Sequence, residues 1–138
     1  MKRSIRILLA EDKEDYCQFF ETLLETDGAV VVRAENYHEA LKLLDDPDEE
    51  YDISLVDRCM PGMDGLYLLE MIKEKSGDMP VIMMSAFWTE ELKQKANNLG
   101  ADLVMDKLGF EYWELREAII SLVEKGRQKK NGDPQGSW

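Results

Sequence analysis

The chain has 138 residues, a length that suits one domain, and chains of roughly 150 residues bury about 68–70% of their unfolded surface, enough for a core without covalent staples. Its 17 Lys and Arg stand against 29 Asp and Glu; the net charge of −12 argues against a phosphate-backbone binder, which needs a basic face, and favours solubility and a cationic or basic partner. No apolar stretch reaches the ~18–20 residues of a membrane span, and the run after Met1-Lys2-Arg3-Ser4 is too short, and too interrupted by Arg6, Glu11 and Asp12, to read as a signal peptide.

In chain order, strand-like apolar runs alternate with helical stripes. The first run, 5–9, closes on Glu11 and Asp12. Tyr16, Phe19, Phe20, Leu23 and Leu24 then recur at the i, i+3, i+4, i+7, i+8 spacing of an amphipathic helix. Cys17 within this stripe and the distant Cys59 show no C-x-x-C spacing, so they read as reduced thiols in a cytoplasmic protein, not as a disulfide or zinc pair. A second run, 29–33, precedes the stripe Tyr37, Ala40, Leu41 and Leu44, and Asn36 with Glu39 supplies its capped start. His38, the only histidine, falls on that helix with no second ligand or base beside it and reads as a surface residue.

The third run, 52–56, leads straight into Asp57 and the turn-prone segment Arg58-Cys59-Met60-Pro61-Gly62-Met63-Asp64-Gly65. Read as an EF-hand loop this segment fails, because Cys59 and Leu68 fall where oxygen ligands are needed. Leu66, Leu69 and Ile72 mark a third helix. The fourth run, 80–84, closes on Ser85, and Leu92, Ala96 and Leu99 mark a fourth helix ended by Gly100. The fifth run, 102–106, closes on Lys107, and Tyr112, Leu115, Ile119 and Leu122 mark the fifth helix. From Gly126 to Trp138 the chain turns polar, locally basic and Gly/Pro-containing, which reads as a tail or linker (126–138) after a folded domain (1–125).

Five strand–helix units in alternation predict an α/β fold, a parallel sheet with helices on both faces. Burial on both faces explains why the first, third and fourth runs are continuously apolar. Right-handed crossovers send every strand's C-terminal end to one edge, so Glu11, Asp12, Asp57, Ser85 and Lys107 should meet there. Three carboxylates in one place repel, and a divalent cation relieves the conflict. Oxygen ligands without His or Cys suit Mg²⁺ or Mn²⁺ rather than zinc. Lys107 and Ser85 add the ammonium and hydroxyl that stabilise a transferring phosphoryl group, with Asp57 as nucleophile forming an aspartyl phosphate.

These residues carry a resemblance. Glu11-Asp12, the D-x-x-M-P-x-M-D-G segment from Asp57 to Gly65, Ser85-Ala86, and Gly100-Ala101-Asp102 leading to Lys107 are together similar to the receiver domain of two-component response regulators, over about residues 4–125. The resemblance implies a doubly wound five-stranded parallel sheet with the flavodoxin-like strand order 2-1-3-4-5. It implies that a sensor histidine kinase or phosphotransfer protein donates a phosphoryl group to Asp57. Mg²⁺ would be held by Glu11, Asp12, Asp57 and the backbone carbonyl of Cys59. Ser85 would move to the phosphate and signal through the face of the fourth helix, fifth strand and fifth helix. The domain would act on an output domain or protein, with a homodimer on phosphorylation as one form of output, and would bind neither nucleic acid nor membrane itself.

Several positions depart from the family pattern. Leu108 follows Lys107 where proline is usual, so that peptide is expected to be trans. Val104 stands where an aromatic usually reports activation, so the aromatic readout is expected to be absent or moved to Phe87 or Trp88. Ser85 replaces the commoner threonine, and Arg58 is unusual and expected to point away from the site. Phe87, two residues beyond Ser85, is bulky and should slow hydrolysis of the phosphoryl group; a half-life of seconds would refute that. Two other readings are weaker. A haloacid-dehalogenase-like phosphatase needs a second acid where Cys59 stands, and a flavodoxin-like cofactor binder needs a phosphate-cradling glycine loop that the chain lacks. A receiver-like module that works without phosphate is the remaining alternative.

Overall fold

The computed structural model describes residues 4–130. Twelve elements follow in order: β1 (Arg6–Ala10), α1 (Glu14–Thr26), β2 (Val30–Ala34), α2 (Tyr37–Asp45), β3 (Ile53–Asp57), β4 (Cys59–Met60), β5 (Met63–Asp64), α3 (Gly65–Lys75), β6 (Val81–Ser85), α4 (Glu90–Asn98), β7 (Leu103–Asp106) and α5 (Tyr112–Lys130). The main sheet is five-stranded in the order β2-β1-β3-β6-β7, with every pairing parallel. Numbering only its own strands, that is the expected order 2-1-3-4-5.

The continuous apolar runs are buried on two sides at once. Ile7 and Leu9 of β1 face α1 and α5, in a core layer with Phe20, Leu24, Leu55, Leu115 and Ile119. Their neighbours Leu8 and Ala10 face α2, α3 and α4, in a layer with Val56, Leu69, Ile72, Met83 and Ala96. Strands alternate their side chains between faces, so a two-sided core requires apolar residues at consecutive positions.

Local signals place the helices. Asn36 caps α2 by accepting from the Glu39 N–H at 2.9 Å, and Glu39 accepts from the Glu35 N–H at 2.6 Å. Gly100 ends α4 with φ +103°, the left-handed conformation a helix C-terminus asks of glycine. Beyond it, Asp102 accepts from the Val81 N–H at 2.8 Å and from the Lys73 ammonium at 2.9 Å, fixing the approach to β7.

Two segments differ from the sequence expectation. The turn-prone stretch after Asp57 folds into the antiparallel hairpin β4–β5, with Gly62 (φ +84°) in its Pro61-Gly62 turn. Helix α5 continues through Gly126 to Lys130, past the expected boundary at 125. Arg127 holds this last stretch to the core, with its guanidinium 3.2 Å from Asp52 and 3.3 Å from the Ser4 carbonyl. Residues 131–138 of the expected tail lie outside the described residues. His38 lies on α2, its ring stacked on Tyr37 at 4.3 Å between centroids. Among the described residues there is no cis peptide, so Lys107–Leu108 is trans, and no helix is long and apolar enough to cross a membrane.

Candidate functional site

Four of the six predicted site residues, Glu11, Asp12, Asp57 and Lys107, form one side-chain cluster at the C-terminal edge of the sheet. One carboxylate oxygen from each of Glu11, Asp12 and Asp57 lies within 4.8 Å of the others. The Lys107 ammonium sits 2.6 Å from Glu11 Oε1 and 3.4 Å from Asp57 Oδ2. Glu11, Asp57 and Lys107 are all buried. Backbone geometry sets these positions: the Glu11 N–H donates to the Ala34 carbonyl at 3.0 Å, and the Lys107 N–H to the Ser85 carbonyl at 2.9 Å.

The charge is unbalanced, with three carboxylates meeting one ammonium. Asp12 Oδ1 is buried and has no hydrogen-bond partner. A buried acceptor left unpaired is costly, and an all-oxygen donor set around it matches what a hard divalent cation takes. Glu11, Asp12 and Asp57 are therefore the side chains able to hold such an ion. Cys59 is exposed in the β4–β5 hairpin, and its N–H donates to Asp57 Oδ1 at 3.2 Å, which brings its backbone beside the same carboxylate.

Burial raises the Glu11 carboxyl above its ordinary value of 4.5; the hydrogen bond from Lys107 opposes this, and the charge on Asp57 adds to the rise. The folded chain thus holds that proton more tightly than the unfolded chain. Metal-free stability from this group falls as pH rises through the window that opens at 4.5. Glu11→Gln removes the effect. In urea unfolding of the metal-free protein, the stability of the variant relative to the parent should rise between pH 4.5 and neutrality. A constant difference across that range would show that Glu11 is not held at a raised value.

Ser85 is buried at the same edge but engaged elsewhere. Its hydroxyl donates to the Phe87 carbonyl at 2.8 Å and accepts from the Phe87 N–H at 3.0 Å, closing a two-residue turn. Phe87 itself is 63% exposed. Arg58 does not point away from this region: its guanidinium donates to the same Phe87 carbonyl at 3.3 Å.

Sequence reasoning missed one contributor. Tyr16, assigned only to the apolar stripe of α1, lies under Lys107, whose nitrogen is 3.7 Å from the ring centroid. A desolvated ammonium over an aromatic face gains ~2 kcal/mol. Tyr16→Leu should therefore lower the rate of phosphoryl uptake by up to about thirtyfold, whereas Tyr16→Phe, which keeps the ring, should not. Time courses with acetyl phosphate compare the three; equal rates for Leu and Phe would remove Tyr16 from the site.

Comparison with known proteins places this arrangement in a family. The response regulator receiver domain model matches residues 7–120, and the chain belongs to that family. It is 31% identical over 128 residues to the two-component response regulator ARR10 of Arabidopsis thaliana, covering 92% of this chain and 23% of the relative. It is 31% identical over 121 residues to the transcriptional regulatory protein TctD of Salmonella typhimurium, covering 88% and 53%. The chain thus spans about half, or less, of the length of these relatives. Among solved structures, the Francisella response regulator 1452 receiver domain shares 30% identity with a TM-score of 0.80, covering 88% of this chain and 98% of that one. The response regulator TrrA of Thermotoga maritima, solved in complex with Mg²⁺ and a beryllium fluoride, shares 29% identity with a TM-score of 0.75, covering 86% and 98%. Receiver domains are the signalling domains of two-component systems, and the phosphatase and flavodoxin readings give way to that assignment.

Proposed function

We propose that Asp57 is the phosphoacceptor of this receiver, that a histidine kinase or phosphotransfer protein supplies the phosphoryl group, and that Mg²⁺ or Mn²⁺ is required. The observation that carries the reading is the buried cluster of Glu11, Asp12 and Asp57 with Lys107 2.6 Å from Glu11 and 3.4 Å from Asp57. A carboxylate oxygen of Asp57 attacks phosphorus; the new O–P bond forms as the P–N bond of a phosphohistidine breaks, and the imidazole nitrogen leaves with the electron pair. Glu11, Asp12, Asp57 and the Cys59 carbonyl would hold the cation, which when bound would supply charge neutralisation for the transferring phosphoryl group. Lys107 contributes the ammonium that moves from Asp57 to a phosphoryl oxygen, and Tyr16 shields it from water. Ser85 contributes the hydroxyl once it leaves Phe87.

The switched output is the face of α4, β7 and α5, acting on an output domain or protein, in a cytoplasmic setting. Homology to the receiver of TrrA, whose structure carries Mg²⁺ and a beryllium fluoride, supports the ion and the chemistry. Incubation with a labelled phosphohistidine donor tests the proposal. Label should transfer with Mg²⁺ present and fall to background when the ion is chelated. Transfer that survives chelation would remove the metal from the scheme. No transfer under either condition would favour a phosphate-independent interaction module, a reading that Val104 and the 71% exposed Leu108 would then have to explain.

A further inference from the structure

We propose that Arg58 is a positioning residue for the Ser85 hydroxyl, acting through the Phe87 carbonyl, and that Trp88 carries the resulting change to β7. The inference rests on the acceptor reading of Asp57 and names a part of that site which the reading leaves unassigned.

Arg58 follows Asp57 directly, and its backbone is clamped. Its N–H donates to the Met84 carbonyl at 2.7 Å, and its carbonyl accepts from the Gly65 N–H at 2.7 Å. The side chain crosses to the loop between β6 and α4. There the guanidinium donates to the Phe87 carbonyl at 3.3 Å and lies over the Trp88 ring, 5.6 Å from its centroid.

The Ser85 hydroxyl donates to that same carbonyl at 2.8 Å. A serine hydroxyl has one proton, and while it is spent on Phe87 it is not available to a phosphoryl oxygen. A backbone carbonyl oxygen has two lone pairs, and that of Phe87 takes both donors at once, Ser85 at 2.8 Å and Arg58 at 3.3 Å. Arg58 therefore keeps the Phe87 carbonyl paired, and the loop anchored, when the hydroxyl turns to the phosphate.

Trp88 is the side chain that ties this loop to the edge strand. Its Nε1–H donates to the Met105 carbonyl of β7 at 2.8 Å, and its ring packs on the same core layer as Val104. Any movement of Phe87 and Arg58 is thus felt at Trp88 and at β7.

The test uses the full chain with Trp113→Phe and Trp138→Phe, so that Trp88 is the one remaining tryptophan of three. Mg²⁺ with beryllium fluoride is titrated as the phosphoryl mimic, and Trp88 emission is followed. Emission should change on saturation. Arg58→Ala should weaken the mimic's affinity about fivefold, the factor of one net hydrogen bond, and Arg58→Lys should recover most of it. In a Ser85→Ala background Arg58→Ala should have no further effect, because the two act through one hydroxyl. Arg58→Gln keeps an N–H donor without the charge and should fall between, which frees the test from reliance on a truncated side chain. Equal affinities for the parent and the Arg58→Ala variant, the same fivefold loss in the Ser85→Ala background, or unchanged emission at saturation would each overturn the proposal. Failure of the acceptor reading shows separately, as a parent protein that gains no phosphoryl mass from acetyl phosphate.

Discussion

Lys107→Met should cost the metal-free protein about 3–5 kcal/mol of stability, the range found when one partner of a buried ion pair is removed. The physical reason lies in the cluster's charge. Lys107 is the single ammonium 2.6 Å from Glu11 and 3.4 Å from Asp57, and its side chain is 3% exposed. Methionine keeps much of the stem's volume, so the loss reports charge, including that of the ammonium over the Tyr16 ring, rather than a cavity. Two buried carboxylates are then left without compensation, and Glu11, already raised by burial, rises further. Saturating Mg²⁺ should recover a large part of the loss, because a bound cation takes over the neutralising role and binding to the folded state stabilises it. Phosphoryl uptake should still fall by about 10²–10³, as when one preorganised electrostatic group is removed from a reaction site. Chemical denaturation with and without Mg²⁺ checks the first part, and acetyl phosphate time courses the second. A variant as stable as the parent without metal would show that Lys107 does not hold the cluster together.

Gly65→Ala should be as damaging by a different route. A Cβ at Gly65 would stand 2.6 Å from both the Arg58 Cα and the Asp57 carbonyl oxygen. Both are backbone atoms of the segment that carries Asp57, so no side chain can yield. Either α3 retreats or Asp57 shifts. Overpacking of this kind costs ~3 kcal/mol at the upper end of its usual range, and a displacement of ~1 Å at a reacting group lowers rates about 10²-fold. Gly62 makes the contrast: a Cβ there meets nothing within 4 Å, and only its φ of +84° opposes substitution. Gly62→Ala should therefore lose ~1–2 kcal/mol and keep phosphoryl uptake near the parent rate. Thermal melts and uptake rates of the two variants separate strain at the site from strain in a turn. Equal uptake by both would show that the close approach of α3 does not position Asp57.

Much of the fold was legible because consecutive apolar residues have few explanations. The run from Ile7 to Ala10 feeds two core layers, and only a sheet covered on both faces asks for that. The carboxylates and Lys107 were legible because each closes such a run, and topology brings the run ends together. Tyr16 was not legible. An aromatic at helical spacing serves a core stripe as readily as an ammonium, and its partner lies far away in sequence. Arg58 was misjudged for the same reason, since its acceptor is the Phe87 backbone, which composition does not reveal. The continuation of α5 to Lys130 was not legible, because a polar stretch containing Gly126 looks like a tail. Its hold is the long-range pairing of Arg127 with Asp52 and Ser4, invisible to local pattern.

The proposed function stands or falls with a phosphoryl group on Asp57. Intact-protein mass after incubation with acetyl phosphate and Mg²⁺, with Asp57→Asn alongside, measures it most directly. The parent should gain about 80 Da, one phosphoryl group in place of a proton, and the variant should not. An equal gain in both would place the chemistry on another residue, and no gain in the parent, where a control receiver reacts, would contradict the claim.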